Sequence, residues 1–219
     1  MSKGKLIAIE GTDGSGKATQ VGALVERIKT EGMGVVSFSF PRYNTTTGRA
    51  IRAYLDGEFG EPTALPPKLC SQLYAADRFA AKSRVAYYLN YREIVLCDRY
   101  VASNMAHQGA KLPEEEREKF FRWVEDYEFG ELKIPKPDLT ICLHIPIEVT
   151  QKALAREGKE QDGHEKNRDY QKKVYETYMQ LSKRADWRVI ECMERGRRKT
   201  IEEVTGEIWE IVYPLLTKN

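Results

Sequence analysis

Apolar and polar positions along the chain alternate between two patterns: short apolar runs, and longer stretches with helical spacing. The runs are Leu6 to Ile9, Val35 to Phe40, Ile94 to Cys97, Leu139 to Ile145 and Arg188 to Cys192. Their length and character predict strands of a sheet buried on both faces. Between them apolar residues recur every three or four positions, as with Val21, Leu24, Val25 and Ile28 in a helix over 17–32. Further helices are predicted around Ile51 and Leu55, from about Pro67 to Tyr91, and over 100–130 in two pieces broken near Pro113. A helix, glycine-containing loop and helix follow over 147–185, and a last helix starts at Thr200. Residues 56–66 hold two glycines and two prolines and read as a loop. Strands alternating with helices predict an α/β fold: an open, five-stranded parallel sheet with helices on both faces. No repeat, low-complexity linker or compositional break divides the chain, so 1–219 reads as one domain. Ligands of such sheets gather at the carboxyl ends of strands. That rule selects 10–19, 40–43, 98–108 and the loop after Cys192.

The first of these stretches is the most informative. Gly11-Thr12-Asp13-Gly14-Ser15-Gly16-Lys17 sits between an apolar strand and a helix start, which is the spacing and context of a P-loop. A phosphate chain needs several backbone N–H donors converging on it. Glycines let the backbone wrap that closely, and the helix N-terminus adds favourable partial charge. Lys17 is placed to reach the terminal phosphates. The motif's last position, usually a Ser or Thr that ligates Mg²⁺, is Ala18, and Thr19 lies about 100° further round the helix. Because Mg²⁺ keeps several waters, a water can stand in for the missing hydroxyl.

Other candidates sit at the remaining strand ends. Asp98 closes an apolar strand, where it either stands near Mg²⁺ or caps the next helix. Arg99 follows, with a planar fork suited to a phosphate. Tyr74 and Arg78 share a helix face, as do Asn104 and Gln108, each pair four residues apart. A ring and a guanidinium presented together suit a nucleobase; a core Tyr with a solvated Arg has the same spacing. Lys152, Arg156 and Lys159 form one basic stripe, flanked by Gly158 and Gly163 and followed by Asp162 and Glu165. That stripe reads as a lid closing over phosphates, or as a solvated helix end.

Bulk composition narrows the picture. Of 219 residues, 35 are basic and 33 acidic, a net charge of +2 that argues against a nucleic-acid polymer as partner. No stretch has the length of a membrane span, and the N-terminus lacks a signal-peptide pattern. The four cysteines, Cys70, Cys97, Cys142 and Cys192, form no Cys-x-x-Cys pair and read as core residues of a reducing, cytoplasmic protein.

Taken together, Glu10-Gly-Thr-Asp-Gly-Ser-Gly-Lys17, Phe40-Pro-Arg-Tyr43, Tyr74-Ala-Ala-Asp-Arg78, Asp98-Arg-Tyr-Val-Ala-Ser-Asn104 and Asp162-Gly-His-Glu165 resemble the thymidylate kinase family over nearly the whole chain. The resemblance implies a three-layer P-loop NTPase fold with a helical lid over about 152–168, and a monophosphate site within 40–110. It implies phosphorylation of dTMP by ATP with Mg²⁺, and a homodimer packed through helices. Asp13 would hold the 3′-hydroxyl of the sugar. Arg42, Tyr43 and Arg99 would surround the 5′-phosphate. Tyr74 would stack on thymine, Arg78 would bond a base carbonyl, and Asn104 and Gln108 would complete the base edge. Arg156 of the lid would join Lys17 and Arg99 in catalysis, and Asp98 and Glu165 would serve the metal. The loop near Arg195 to Arg198 would approach adenine, and His164 stands where some relatives carry a Tyr near the sugar. Two alternatives remain at this point: a kinase for dUMP or UMP, and a nucleotide-binding regulator without catalysis. Any kinase reading requires Arg99 to stand at the mouth of the glycine cradle.

Overall fold

The computed structural model describes residues 3–150, 164 and 167–217. Strand β1 (Leu6–Glu10) is buried along its whole length, and the others are β2 (Val35–Ser39), β3 (Ile94–Asp98), β4 (Leu139–His144) and β5 (Trp187–Glu191). They form one parallel sheet in the order β2-β3-β1-β4-β5, with β1 central. Neighbouring strand ends come level, as with Ile9 opposite Asp98 and Glu10 opposite Cys142, so the loops after them emerge together.

Alternation along β1 sorts the two cores. Ile7 and Ile9 pack with Leu24 and Ile28 of α1 (Lys17–Thr30) and Ile208 of α7 (Ile201–Thr217). Leu6 and Ala8 face the opposite layer. That layer holds α3 (Pro67–Asn90), α4 (Val101–Gly109), α5 (Glu114–Glu125) and α6 (Arg168–Leu181). Helix α2 (Thr46–Leu55) starts on the Thr45 hydroxyl, which accepts from Gly48 N at 3.1 Å, and packs Ile51 and Tyr54 near Cys70. A Cβ at Gly48 would lie 1.9 Å from the Arg42 carbonyl, so glycine lets α2 cross closely behind Arg42.

All four cysteines are buried and free. The strands agree with the apolar runs to within a residue or so at each end. Two features carried no signal in the pattern. A π-helical turn, Asp126–Glu131, continues α5, and a hairpin of β6 (Met193–Glu194) and β7 (Arg197–Arg198) follows β5. Two-residue strands show no periodicity, and a single widened turn is too short to show a period of its own. Of the expected helix–loop–helix over 147–185, α6 is the second helix. The basic stripe, with Arg156 and Glu165, lies outside the described residues.

Candidate active site

The cradle follows β1. Gly11, Gly14 and Gly16 adopt φ of 144°, 75° and 95°, conformations that a side chain disfavours. A Cβ on Gly11 would also meet the Leu143 carbonyl and Ser15 Oγ, each at 2.8 Å. Helix α1 opens at Gly16 with no side-chain cap, which leaves its first N–H groups to the cradle. The Lys17 ammonium is buried and donates to the Thr12 carbonyl at 2.8 Å. Burial, followed by the nearby Arg99 charge, pulls its pKa down to about 8 against the partial support of Asp13 and Asp98. Ser15 Oγ is buried with no partner among the described residues, whereas Ala18 and Thr19 are exposed. Arg198, on the hairpin, donates to the Gly14 carbonyl at 3.2 Å and so stands beside the cradle.

Arg99 stands at the cradle's mouth. It leaves β3 in the left-handed region (φ 63°), its N–H donates to the Ile9 carbonyl at 3.0 Å, and its guanidinium pairs with Asp13 of the cradle. Its other terminal nitrogen donates to Ser103 Oγ at 3.2 Å. Burial would raise the Asp13 pKa, but Arg99 and then Lys17 outweigh it and hold the carboxyl well below the usual range.

The residue that fixes this corner is Glu10, fully buried at the tip of β1. Its carboxylate accepts from Tyr100 N at 2.7 Å, Ser103 N at 3.1 Å, Ser103 Oγ at 2.6 Å and Tyr178 OH at 3.0 Å. It thus caps α4 from another strand and ties α6 to the same point. Sequence reading gave Glu10 no role of its own, although a charged residue closing a buried strand is the signal that marks it.

Each expected arginine of the monophosphate side has a carboxylate of its own. Arg42 uses Nε and Nη2 on Asp77 Oδ1 at 3.1 and 3.0 Å, and its backbone N–H donates to Oδ2 at 2.9 Å. The Thr47 hydroxyl adds a bond to Asp77 at 2.7 Å. Arg78 is buried and paired with Glu128 through two 2.6 Å bonds, so most of its fork faces Glu128. Asn104 donates to Glu128 at 2.9 Å. Neither Asp77 nor Glu128 was singled out from the sequence; Glu128 sits in an acidic stretch that reads as solvated surface. Tyr43 lies at the rim with the Arg52 guanidinium 4.2 Å above its ring, and Tyr74 meets Tyr54 edge to face at 6.1 Å. Gln108 is buried with neither amide atom partnered, and Asn104 Oδ1 and Ser71 Oγ are likewise unpartnered among the described residues.

Two histidines lead from Arg99 towards Tyr54. His107 and His164 stack at 5.9 Å, and His164 Nε2 lies 2.9 Å from Tyr54 OH. Lys111 donates to the same hydroxyl at 3.0 Å and to the Pro62 carbonyl at 2.6 Å. Burial, and then the Lys111 charge, push the His164 pKa down to about 3, and burial with Arg99 keeps His107 neutral as well.

Asp98 ends β3 opposite Ile9, and its charge is felt by both Lys17 and Arg99. Among the described residues no three His, Cys, Asp or Glu side chains form a ready-made metal cluster. The donor set that remains is the Asp98 carboxylate and the Ser15 hydroxyl, with oxygens from water or ligand around them, which suits a hydrated Mg²⁺ better than a tightly caged ion.

With this geometry in view, similarity to known proteins is informative. A family model described as Thymidylate kinase matches residues 9–208. The thymidylate kinase of Mycobacterium tuberculosis is 34% identical over 183 residues, covering 81% of this chain and 85% of that protein. A probable thymidylate kinase of Methanocaldococcus jannaschii is 31% identical over 202 residues, covering 92% of each. Among solved structures, the thymidylate kinase of Candida albicans aligns with a TM-score of 0.76 at 26% identity, over 98% of this chain and 93% of that one.

Proposed function

The chain belongs to the thymidylate kinase family, and from that premise we propose how its residues carry the reaction. It is a phosphotransferase that converts dTMP to dTDP at the expense of a nucleotide phosphate donor. The donor we assign is ATP, bound with Mg²⁺. The observation that carries the assignment of roles is the Arg99–Asp13 pair, which joins the glycine cradle to the acceptor corner at one point.

In this reading the backbone N–H groups of 11–17 and the α1 terminus hold the donor phosphates, and Arg198 flanks the adenine side. Arg99, with Arg42 and Tyr43, receives the acceptor phosphate. Asp13, held ionised, meets the sugar hydroxyl while fixing Arg99. Tyr74 stacks on the base, and Arg78, Asn104 and Gln108 read its edge. Asp98 and the unpartnered Ser15 hydroxyl fit a hydrated Mg²⁺, which when bound supplies charge neutralisation on the donor phosphates. Lys17 and Arg99 align two anions and stabilise the charge of the transferring phosphoryl group. The acceptor is itself a phosphate anion, so no strong general base is required. Arg156 and Glu165, outside the described residues, keep the lid and metal roles that the resemblance gives them.

A single domain in the cytoplasm fits four free cysteines, and no described helix is long and apolar enough to cross a membrane. We assign a homodimer to the outward face of α3, where Leu69, Phe79 and Tyr87 are 58%, 50% and 54% exposed and the Lys82 ammonium lies over the Phe79 ring. The other helix considered for this role, α4, packs its apolar residues inside the monomer. Sedimentation should find a dimer that Phe79→Glu splits into folded monomers; a monomeric wild-type protein overturns the assignment. The function itself is tested by ADP release over a panel of monophosphates with ATP. Turnover should be fastest with dTMP and slower with dUMP, and a chain that binds ATP but phosphorylates none of them is not this enzyme. UMP kinase and silent regulator are not favoured by the family.

A further inference from the structure

Glu128 takes no direct part in the roles above, yet it touches two residues assigned to the base. Its oxygens accept from Arg78 Nε and Nη2, and Oε1 also accepts from Asn104 Nδ2 at 2.9 Å. The Ser71 backbone carbonyl accepts from the same Nδ2 at 3.1 Å. An ionised carboxylate and a backbone carbonyl accept hydrogen bonds and donate none. The Asn104 amide is therefore held one way round, its NH₂ toward Glu128 and Ser71 and its carbonyl turned from them. That Oδ1 is buried and unpartnered among the described residues, as are the Ser71 hydroxyl and both amide atoms of Gln108 one turn along α4. Buried polar atoms without partners are rare in native proteins and call for an explanation. Here four of them lie on two packed helices beside Tyr74.

A fixed acceptor selects the ligand's edge. Thymine and uracil carry a hydrogen on N3 between two carbonyls, which matches an acceptor flanked by donors. The Gln108 amide and the Arg78 N–H groups not given to Glu128 or to the Tyr100 carbonyl can supply those donors. A cytosine ring has a bare N3, and against Asn104 Oδ1 it would set lone pair against lone pair. If the amide could turn over, this discrimination would vanish.

We propose that Glu128 is a positioning residue for base selection: by holding the Asn104 amide in one orientation, it makes the pocket accept an imide base edge and refuse an aminopyrimidine. The proposal rests on the base-pocket assignment given under the proposed function. The Arg78–Glu128 pair then has a second use, since two bonds from the guanidinium fix the carboxylate against which the Asn104 NH₂ is set.

The test compares dTMP with 5-methyl-dCMP, which keeps the methyl group and alters only the groups at N3 and C4. Wild-type enzyme should prefer dTMP by at least about 10²-fold in kcat/KM, because a mispaired buried edge is rejected strongly. Glu128→Gln offers an NH₂ to Asn104 Oδ1, and should lower that ratio on the order of 10-fold, mainly through KM for dTMP. Glu128→Asp, still acceptor-only, should return the ratio towards wild type even where total activity stays reduced. A folded Glu128→Gln variant that loses both substrates in proportion overturns the proposal. Wild-type enzyme that turns over dTMP without preferring it to 5-methyl-dCMP overturns it too. Wild-type enzyme that phosphorylates neither substrate instead defeats the base-pocket assignment. A measurement on the wild type alone covers the case in which the variants do not fold. The Asn104 side-chain amide protons should exchange slowly with solvent in the free enzyme and remain slow with dTMP bound. Protection that appears only with ligand means the amide is free to turn, and the proposal is wrong.

Discussion

The donor cradle and the acceptor pocket sit at the same sheet edge but are built from different material. The cradle is mostly backbone: three glycines with positive φ, a helix terminus without a side-chain cap, and one lysine. The acceptor pocket is made of side chains, and each arginine assigned to it is held by an acid from elsewhere in the chain. Asp77 holds Arg42, Glu128 holds Arg78 and Asp13 holds Arg99, while Glu10 fixes the turn that Arg99 stands on. A backbone site is specified by a few adjacent residues and binds any phosphate chain. A side-chain site depends on long-range pairing, and that pairing is what gives it selectivity.

Five experiments would break or sharpen this contrast, and Lys17→Ala should have the largest effect. Removing the cradle's one basic side chain should lower kcat by on the order of 10³-fold or more with the melting temperature little changed. A variant with near-normal turnover would remove the cradle from the chemistry. Next is Arg99→Ala, at the joint between the two sites, expected to raise KM for dTMP and lower kcat together, by roughly 10²–10³-fold in kcat/KM. If only KM moves, Arg99 binds acceptor without stabilising the transferring group.

Glu10→Gln comes third. Its amide cannot accept all four bonds, and an NH₂ would face N–H and O–H donors, so stability should fall by about 1.5–3 kcal/mol. KM for dTMP should rise roughly tenfold while ATP affinity changes little; equal losses for both ligands would mean the two sites are not separately supported. The smallest effects are proton-linked. At pH 8 the Lys17 ammonium is about half deprotonated in the free enzyme, and phosphates favour its charged form. ATP binding should take up a fraction of a proton near that pH, read by calorimetry in buffers of different ionisation enthalpy, and Lys17→Met should abolish it. On the acceptor side His164, pushed down to about 3, stays neutral when folded while the unfolded chain titrates near 6.5. The unfolded state therefore binds the proton first, and stability should drop as pH falls from about 6.5 towards 3. His164→Gln should flatten that slope in thermal melts.

The same contrast explains what the sequence made legible. Leu6 to Ile9 and Gly11 to Lys17 follow one another directly, so pattern and spacing give both strand and cradle. Arg99 was expected at the cradle's mouth because strand ends in a parallel sheet come level, and it stands there. The supporting acids were not found, for a physical reason: nothing near Glu10 says that it will reach Tyr100, Ser103 and Tyr178. Asp77 lies inside a quoted motif, yet its partner Arg42 is 35 positions away. Glu128 looks like one more acid in Asp-Tyr-Glu-Phe-Gly-Glu until the fold brings Arg78 to it.

The π-helical turn at Asp126–Glu131 carries one spare residue at the end of α5, and Glu128 is on it. Deleting a single neighbour would relax the turn to an ordinary α-helix and swing that carboxylate about 100° round the axis. An indel that drift would tolerate on most surface helices would here remove Arg78's counter-charge and release Asn104 in one event. Gene-length changes at this spot should therefore be purged by selection, or fixed only alongside a shift in which nucleotide the lineage phosphorylates.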